Sequence, residues 1–156
     1  MTASELDADL AGIRRILVDT SILIAYHTPE EQIHPLAKHL MHRIEDGGDR
    51  LNAYFSVVTA CELLIRPIRA GIAEFSFMRT FLAEFPNLAS VTMDLNVAES
   101  AATLRATTGI RLPDAIVIAT GLLSGCEAII SNDGQWKQRM EPLFQDVRWI
   151  YLGDYL

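Results

Sequence analysis

Four acidic residues carry the most distinctive chemistry of this sequence: Asp19, Glu62, Asp114 and Asp133. Each stands at the edge of a separate apolar segment, where a strand ends or a helix begins. An α/β sheet can gather such distant carboxylates, because ligands bind outside the carboxyl ends of its parallel strands. Converging carboxylates repel one another, and a divalent cation relieves that repulsion. Ligation by oxygen alone favours Mg²⁺, with Mn²⁺ as a substitute, over Zn²⁺.

Each acid also has a structural interpretation when it is taken alone. Asp19 precedes a predicted helix, whose free backbone amides its side chain can cap. Glu62 follows Thr59 by three residues, which is the spacing of a capping box. Asp114 lies in a predicted first helical turn, where a negative charge gains about 0.3–1 kcal/mol from the helix dipole. Asp133 lies in a polar turn, so only the joint arrangement of the four acids favours a functional site.

Short apolar strand patterns alternate with helical patterns along the chain. A proline at position 67 predicts a bend or break in the helix that begins at Thr59, because proline lacks a backbone donor. Strands that alternate with helices favour a mostly parallel sheet covered on both faces. The sequence therefore predicts an α/β fold with about five strands, at residues 16–18, 51–58, 89–93, 128–130 and 147–152.

Size and composition indicate one globular domain. The chain has 156 residues, of which 50% are hydrophobic, enough for a sizeable core. Residues 1–14 lack the pattern of a signal peptide and are expected to form a short tail before a single domain at 15–156. The longest uncharged stretch, 115–126, falls short of the roughly 20 apolar residues that span a bilayer, so we expect no membrane partner. Two isolated cysteines, Cys61 and Cys126, suit a reducing cytoplasm.

The overall charge limits how this protein can meet nucleic acid. Thirteen Lys and Arg residues stand against twenty Asp and Glu residues, which gives a net charge of −7 and a pI near 5.0. That sign opposes passive binding of phosphate groups. Any nucleic-acid partner must therefore be held by metal ions or by a local basic patch.

The four acidic segments resemble, in order and in spacing, the motifs of the PIN-domain ribonucleases. The segments are LVDTS at 17–21, TACEL at 59–63, LPDA at 112–115 and SNDG at 131–134. The resemblance extends from Ile16 to Leu152 and is greatest to the VapC-type toxins of toxin–antitoxin pairs. It implies a PIN-like three-layer α/β/α domain.

The resemblance also implies a function and a set of site residues. Asp19, Glu62 and Asp114 match the three central acidic positions of the family, and Asp133 matches the more variable fourth. They are the expected catalytic and metal-binding residues of a metal-dependent endoribonuclease that cleaves single-stranded or loop RNA. The implied cofactor is Mg²⁺, and the implied protein partners are a cognate antitoxin and a second copy of the chain.

Three further residues are predicted to position the substrate. Thr20 and Ser21 follow the first acid and are expected to position water or phosphate. Arg66 lies one helical turn beyond Glu62, where it can approach RNA or pair with the acids. A phenylalanine-rich helical stripe at 75–85 is typical of a core face, and it is also a candidate groove for an antitoxin segment or a homodimer face.

Other classes of protein fit the sequence less well. A haloacid-dehalogenase phosphatase needs a second aspartate two residues after the first, where Ser21 stands. A dinucleotide-binding domain needs a glycine-rich turn after its first strand, and this chain has none there. A non-catalytic PIN-like module that binds RNA or protein remains the alternative, although such a module has no chemical need for all four acids.

Overall fold

The five predicted strands form one sheet in the computed structural model, which describes residues 2–156. The strands are all parallel, and their order across the sheet is β3-β2-β1-β4-β5, so β1 lies at the centre. The predicted parallel α/β sheet is therefore confirmed. The strands are β1 (Arg15–Val18), β2 (Asn52–Ser56), β3 (Leu88–Val91), β4 (Ala128–Ser131) and β5 (Arg148–Tyr151).

Helices connect the strands and cover both faces of the sheet. They are α1 (Ala3–Asp9), α2 (Thr20–His27), α3 (His34–Asp46), α4 (Val57–Ala70), α5 (Ile72–Glu84), α6 (Leu95–Thr108), α7 (Leu112–Leu123) and α8 (Gly134–Met140), with short 3-10 helices at Gly48–Arg50 and Leu152–Tyr155. Within residues 2–156, no helix combines the length and the hydrophobicity that crossing a membrane requires.

Two hydrophobic cores lie on opposite faces of the sheet, because side chains alternate between faces along a strand. In β1, Ile16 and Val18 belong to the first core, and Leu17 belongs to the second. Helices α1 to α5 contribute to the first core, and α6 to α8 contribute to the second. The predicted three-layer α/β/α architecture is confirmed.

The N-terminal segment is packed against the domain, in contrast to the expected tail. Leu6 and Leu10 are fully buried, one helical turn apart, on the inner side of α1 and just after it. The hydroxyl of Tyr155 donates a hydrogen bond to the carboxylate of Asp9, which links this segment to residues 152–155. The prediction was wrong because the acidic residues around this short apolar pair mask its periodicity.

Helix α4 begins earlier than expected and continues past its proline. It starts at Val57, because Ser56 is its N-cap and accepts a hydrogen bond from the amide of Val58 at 3.2 Å. The strand before it therefore ends at Ser56, two residues earlier than predicted. Pro67 does not break the helix, which ends at Gly71, where φ is 148°.

Helix α7 lies unusually close to the centre of the sheet at Gly121. A Cβ atom at this position would stand 3.0 Å from Cβ of Leu17 and 3.2 Å from Cδ1 of Ile129. Such distances are shorter than ordinary van der Waals contact, so only glycine fits without a shift of the neighbours. The close approach fixes α7, and with it Asp114 at the other end of the helix, relative to β1.

We expect Gly121→Val to lower the free energy of unfolding by about 1–3 kcal/mol, because it overpacks the core between α7 and the sheet. Urea unfolding followed by circular dichroism measures the change. Gly48→Val is the matched control, since no atom lies within 4 Å of a Cβ at Gly48. An equal loss in both variants would contradict the close-approach explanation.

Candidate functional site

Two of the predicted acids lie at the point where the connections of the sheet change direction. The chain passes from β1 to β2 on one side, whereas β4 pairs with β1 on the other. Parallel sheets bind ligands at such a point, outside the carboxyl ends of the strands. Asp19 follows β1 and Asp133 follows β4 after one intervening residue. The amide of Asp19 still donates to the carbonyl of Ile130, at 3.0 Å.

The carboxylate of Asp19 is buried and held by two hydroxyl groups. Ser21 Oγ donates to Asp19 Oδ2 at 2.7 Å, and Ser131 Oγ donates to the same oxygen at 2.9 Å. Each hydroxyl also accepts a hydrogen bond from a backbone amide, Ser21 from Asn132 and Ser131 from Asp133. These amides orient the hydroxyl protons toward Asp19. Both hydroxyl bonds end on Oδ2, so Asp19 Oδ1 receives neither of them.

Burial makes the charged form of Asp19 unfavourable. Desolvation raises the pKa of this carboxyl above its ordinary value, and the hydrogen bonds from Ser21 and Ser131 oppose the rise without cancelling it. The residue is only 8% exposed. An ionised Asp19 is therefore a buried negative charge that a bound cation would stabilise.

Glu62 is tied to the residue after Asp19 rather than to its own helix end. Thr20 Oγ1 lies 2.5 Å from Glu62 Oε2 and 3.0 Å from Thr59 Oγ1. A hydroxyl has one proton, and the shorter contact with the carboxylate is the stronger donor interaction. The capping-box interpretation of Glu62 is wrong, because α4 begins before Thr59 and Ser56 is its cap.

Asp114 and Asp133 both stand in the first turn or at the cap of a helix. Asp133 is the N-cap of α8 and accepts a hydrogen bond from the amide of Gln135 at 2.9 Å. Asp114 lies in the first turn of α7, where Arg111 Nε donates to its Oδ2 at 2.9 Å. Asp133 is thus a helix cap as well as a residue of a polar turn. Its second carboxylate oxygen is left for other partners.

The charges of three of the acids act on the Arg111 guanidinium. Its pKa is raised mainly by the hydrogen bond and charge of Asp114, and further by the charges of Asp133 and Glu62. Arg111, Asp114 and Asp133 line a cleft of about 450 Å³ together with Arg139. Glu62 lies outside the lining of this cleft and is linked by a hydrogen bond to Thr20, the residue after Asp19.

The donor set matches a hard divalent cation in its chemistry. All four candidate ligands are carboxylates, and the turn between Ser131 and Asp133 adds a buried amide oxygen, Asn132 Oδ1, that has no hydrogen-bond partner among residues 2–156. Oxygen donors of this kind suit Mg²⁺ and Mn²⁺. Among residues 2–156, no three His, Cys, Asp or Glu side chains lie close enough together to hold a metal. One of the four candidate ligands, Asp114, is paired with Arg111.

The three residues that were predicted to position the substrate do not share one position. Thr20 and Ser21 face the acids and hold them, as the hydrogen bonds above show. Arg66 lies on the exposed side of α4, and no residue within 2–156 forms a hydrogen bond or ion pair with it, so its role in binding RNA stays a prediction. Sequence reasoning missed Arg111, although its spacing of three residues before Asp114 on a helix start is the signal for such a pair.

Comparison with known proteins gives the class of the fold. Residues 16–140 match the PIN domain family, so this α/β protein belongs to that family. No curated protein matches the sequence.

Solved structures with the same fold include members of toxin–antitoxin pairs. VapC20 of Mycobacterium tuberculosis, described as a Sarcin-Ricin loop cleaving toxin, has a TM-score of 0.64 and 17% identity over 79% of this chain and 93% of its own. VapBC2 of Rickettsia felis, bound to a DNA fragment from its promoter, has a TM-score of 0.63 and 10% identity over 88% and 98%. A toxin–antitoxin complex from Klebsiella pneumoniae has a TM-score of 0.59 and 21% identity over 80% and 89%. The fold is that of VapC toxins, as the sequence predicted.

We expect Asp19→Asn to raise the melting temperature in EDTA at pH 7, by about 2–4 °C for a gain of ~1 kcal/mol, because the variant removes a buried charge. The pKa of Asp19 is raised in the folded protein, so its charge costs stability only as the pH rises through that pKa. Below the ordinary value of 3.8 the two proteins should therefore melt alike. Thermal unfolding between pH 3.5 and 8 measures this, and a less stable variant at pH 7 would contradict it.

Proposed function

We propose that this protein is a Mg²⁺-dependent endoribonuclease and the toxin of a toxin–antitoxin pair. The observation that carries the proposal is the Asp19 carboxylate, which is buried and oriented by two hydroxyls at the carboxyl end of the central strand. The family and the shared fold with VapC toxins support it. We further propose that the enzyme acts in the cytoplasm, on single-stranded or loop RNA.

The residues of the chain would hold and orient the reacting groups. A bound Mg²⁺ would lower the pKa of a water molecule and stabilise charge on the leaving oxygen. Asp19 and Asp114 would be the primary ligands, with Oδ2 of Asp19 held by Ser21 and Ser131. Glu62, which is positioned by Thr20, would be the next ligand, and Asp133 would complete the set directly or through water. No side-chain nucleophile is needed.

The two hydroxyl residues beside the acids act on the ligands, whereas the nearby arginine is a candidate for contact with the substrate. Ser21 and Thr20 donate hydrogen bonds to Asp19 and Glu62, respectively, so we assign them to positioning the ligands. Arg66 stands one turn beyond Glu62 on the exposed side of α4 and is our candidate for contact with the RNA backbone.

The alternative function is a non-catalytic PIN-like module that binds RNA or protein. It predicts binding that does not depend on metal and no cleavage. The hydroxyl pair on Asp19 favours the enzyme, because a module without metal has no use for a buried, oriented carboxylate whose charge is unfavourable there.

We expect the Asp19→Asn/Asp114→Asn double variant to lose both metal response and cleavage. Millimolar Mg²⁺ or Mn²⁺ should raise the melting temperature of the wild type above its value in EDTA, because a ligand that binds only the folded state stabilises it. Cleavage of a structured RNA should fall by at least roughly 100-fold in the double variant, the scale of losing metal chemistry. Differential scanning fluorimetry and gel-based cleavage assays measure the two effects.

Asp146→Asn is the matched control for that experiment, because Asp146 is an exposed aspartate that precedes β5, at the amino end of a strand. It should keep the metal response and the cleavage of the wild type. Full cleavage by the double variant would refute the proposed enzyme, and metal-independent RNA binding without cleavage in either protein would establish the alternative.

An aromatic groove is the surface that we propose for the antitoxin. The groove measures about 800 Å³ and lies between α2, α3 and α5, with Tyr26, His27, Phe77 and Phe81 among its lining residues. Phe77 is 64% exposed, and His27 Nε2 is buried without a hydrogen-bond partner among residues 2–156. An apolar antitoxin helix that brings one polar group to His27 would cover this surface. The homodimer implied by the resemblance stays a prediction, which sedimentation velocity can test.

We expect Phe77→Glu to weaken binding of the antitoxin encoded beside this protein by about tenfold or more, because central aromatic residues of such grooves contribute over ~1 kcal/mol. Isothermal titration calorimetry measures the affinity. Leu143→Glu is the control, since Leu143 is similarly exposed at 58% and lies outside the groove. Equal affinity of both variants would place the antitoxin elsewhere.

A further inference from the structure

Arg111 is a cation that the chain itself supplies to the acidic cluster. It directly precedes α7, and its Nε lies 2.9 Å from Oδ2 of Asp114. The Arg111 side chain is 79% exposed, whereas that of Asp114 is only 17% exposed. The guanidinium therefore stands on the solvent side of a largely covered carboxylate.

The guanidinium and a divalent cation would compete for the same negative charges. Arg111 is bonded to Asp114, and the charges of Asp133 and Glu62 also act on it. Two adjacent positive charges repel each other, so a metal bound at Asp114 weakens the hold of these acids on Arg111. Without metal, the same guanidinium reduces the repulsion among the acids.

The cleft beside the pair offers Arg111 a second position. Arg111 and Arg139 both line it, together with Gln135. Arg139 forms no ion pair with any residue in the range 2–156. Two guanidinium groups at one cleft suit an RNA phosphodiester, because arginine binds phosphate oxygens through paired N–H donors. Asp114 and Asp133 also line this cleft, so its positive charge becomes available to phosphate only when a cation neutralises the acids.

We propose that Arg111 is a positioning residue with two alternating partners. In the metal-free protein it holds Asp114 as an internal counter-ion, and when a divalent cation takes that carboxylate, the released guanidinium binds the RNA phosphate in the cleft shared with Arg139. The proposal rests on the proposed function, because it needs metal binding at Asp114 and an RNA substrate. It differs from a static surface ion pair, which would leave metal affinity unchanged.

The first test is the affinity of the metal-stripped protein for Mn²⁺ alone, measured by electron paramagnetic resonance. Arg111→Gln should bind Mn²⁺ about two- to fivefold more tightly than the wild type, the scale of removing an exposed competing ion pair. Arg139→Gln is the matched control, because it removes the same charge from the same cleft without freeing Asp114. Asp114→Asn should bind Mn²⁺ at least about tenfold more weakly.

The second test is binding of a 2′-O-methyl oligoribonucleotide, which resists cleavage. With Mn²⁺ present, Arg111→Gln should bind it several-fold more weakly than the wild type, and the slope of log affinity against log salt should fall by about 0.7, as expected for one lost phosphate contact. In EDTA the two proteins should bind it equally, because Arg111 is then engaged by Asp114.

Different results would overturn the role of Arg111 and the proposed metal site. Equal Mn²⁺ affinity in Arg111→Gln and wild type, or an equal gain in Arg139→Gln, would overturn the role of Arg111 while leaving the metal site intact. A weaker RNA complex of Arg111→Gln in EDTA would also overturn it. Absence of Mn²⁺ binding by the wild type, even with the oligoribonucleotide present, would overturn both the metal site and this proposal.

Discussion

The pairing of β1 with β4 at the centre of the sheet is the interaction on which the acidic site depends. Its register places Val18 beside Ile130, so the next residues, Asp19 and Ser131, come within hydrogen-bond distance. A slip of one residue would turn Ser131 to the other face of the sheet. In the observed register Ala128 and Ile130 lie in one core and Ile129 lies in the other.

The site shows how a protein can accommodate acidic side chains in a partly buried region. Asp19 is stabilised by hydroxyl donors that backbone amides orient, Glu62 by the Thr20 hydroxyl, and Asp114 by a guanidinium. These partners differ in their exposure to solvent. Thr20 and Ser131 are buried, whereas the Arg111 side chain is 79% exposed, where an ion pair contributes little to stability. The buried and the exposed parts of the site are thus built from different residue types.

Much of the fold followed from the sequence, and the reasons are physical. Strands that are buried on both faces appear as continuous apolar runs, and acids at their ends are visible without any structure. The exact partners of the acids were not predictable. Ser131 reaches Asp19 across 112 positions of the chain, and only the strand order brings these residues together.

The predicted start of α4 was wrong because two possible caps lie close together in the sequence. The spacing of Thr59 and Glu62 matches a capping box, yet Ser56 caps α4 one turn earlier, because the serine directly follows the strand and its hydroxyl reaches the amide of Val58. Pro67 lies in the last turns of α4, where few hydrogen bonds remain to be broken, so the helix continues past it.

The contact between the first helix and residues 152–155 has a consequence for how the chain acquires its structure during synthesis. The hydrogen bond from Tyr155 to Asp9 joins residues 146 positions apart, and it can form only after Tyr155 has left the ribosome. Asp7 of α1 can pair earlier with His39 and Arg43 of α3, which are made long before residue 155. Domains fold as units during synthesis, and here the contacts of α1 are completed only when residues 152–155 have been made.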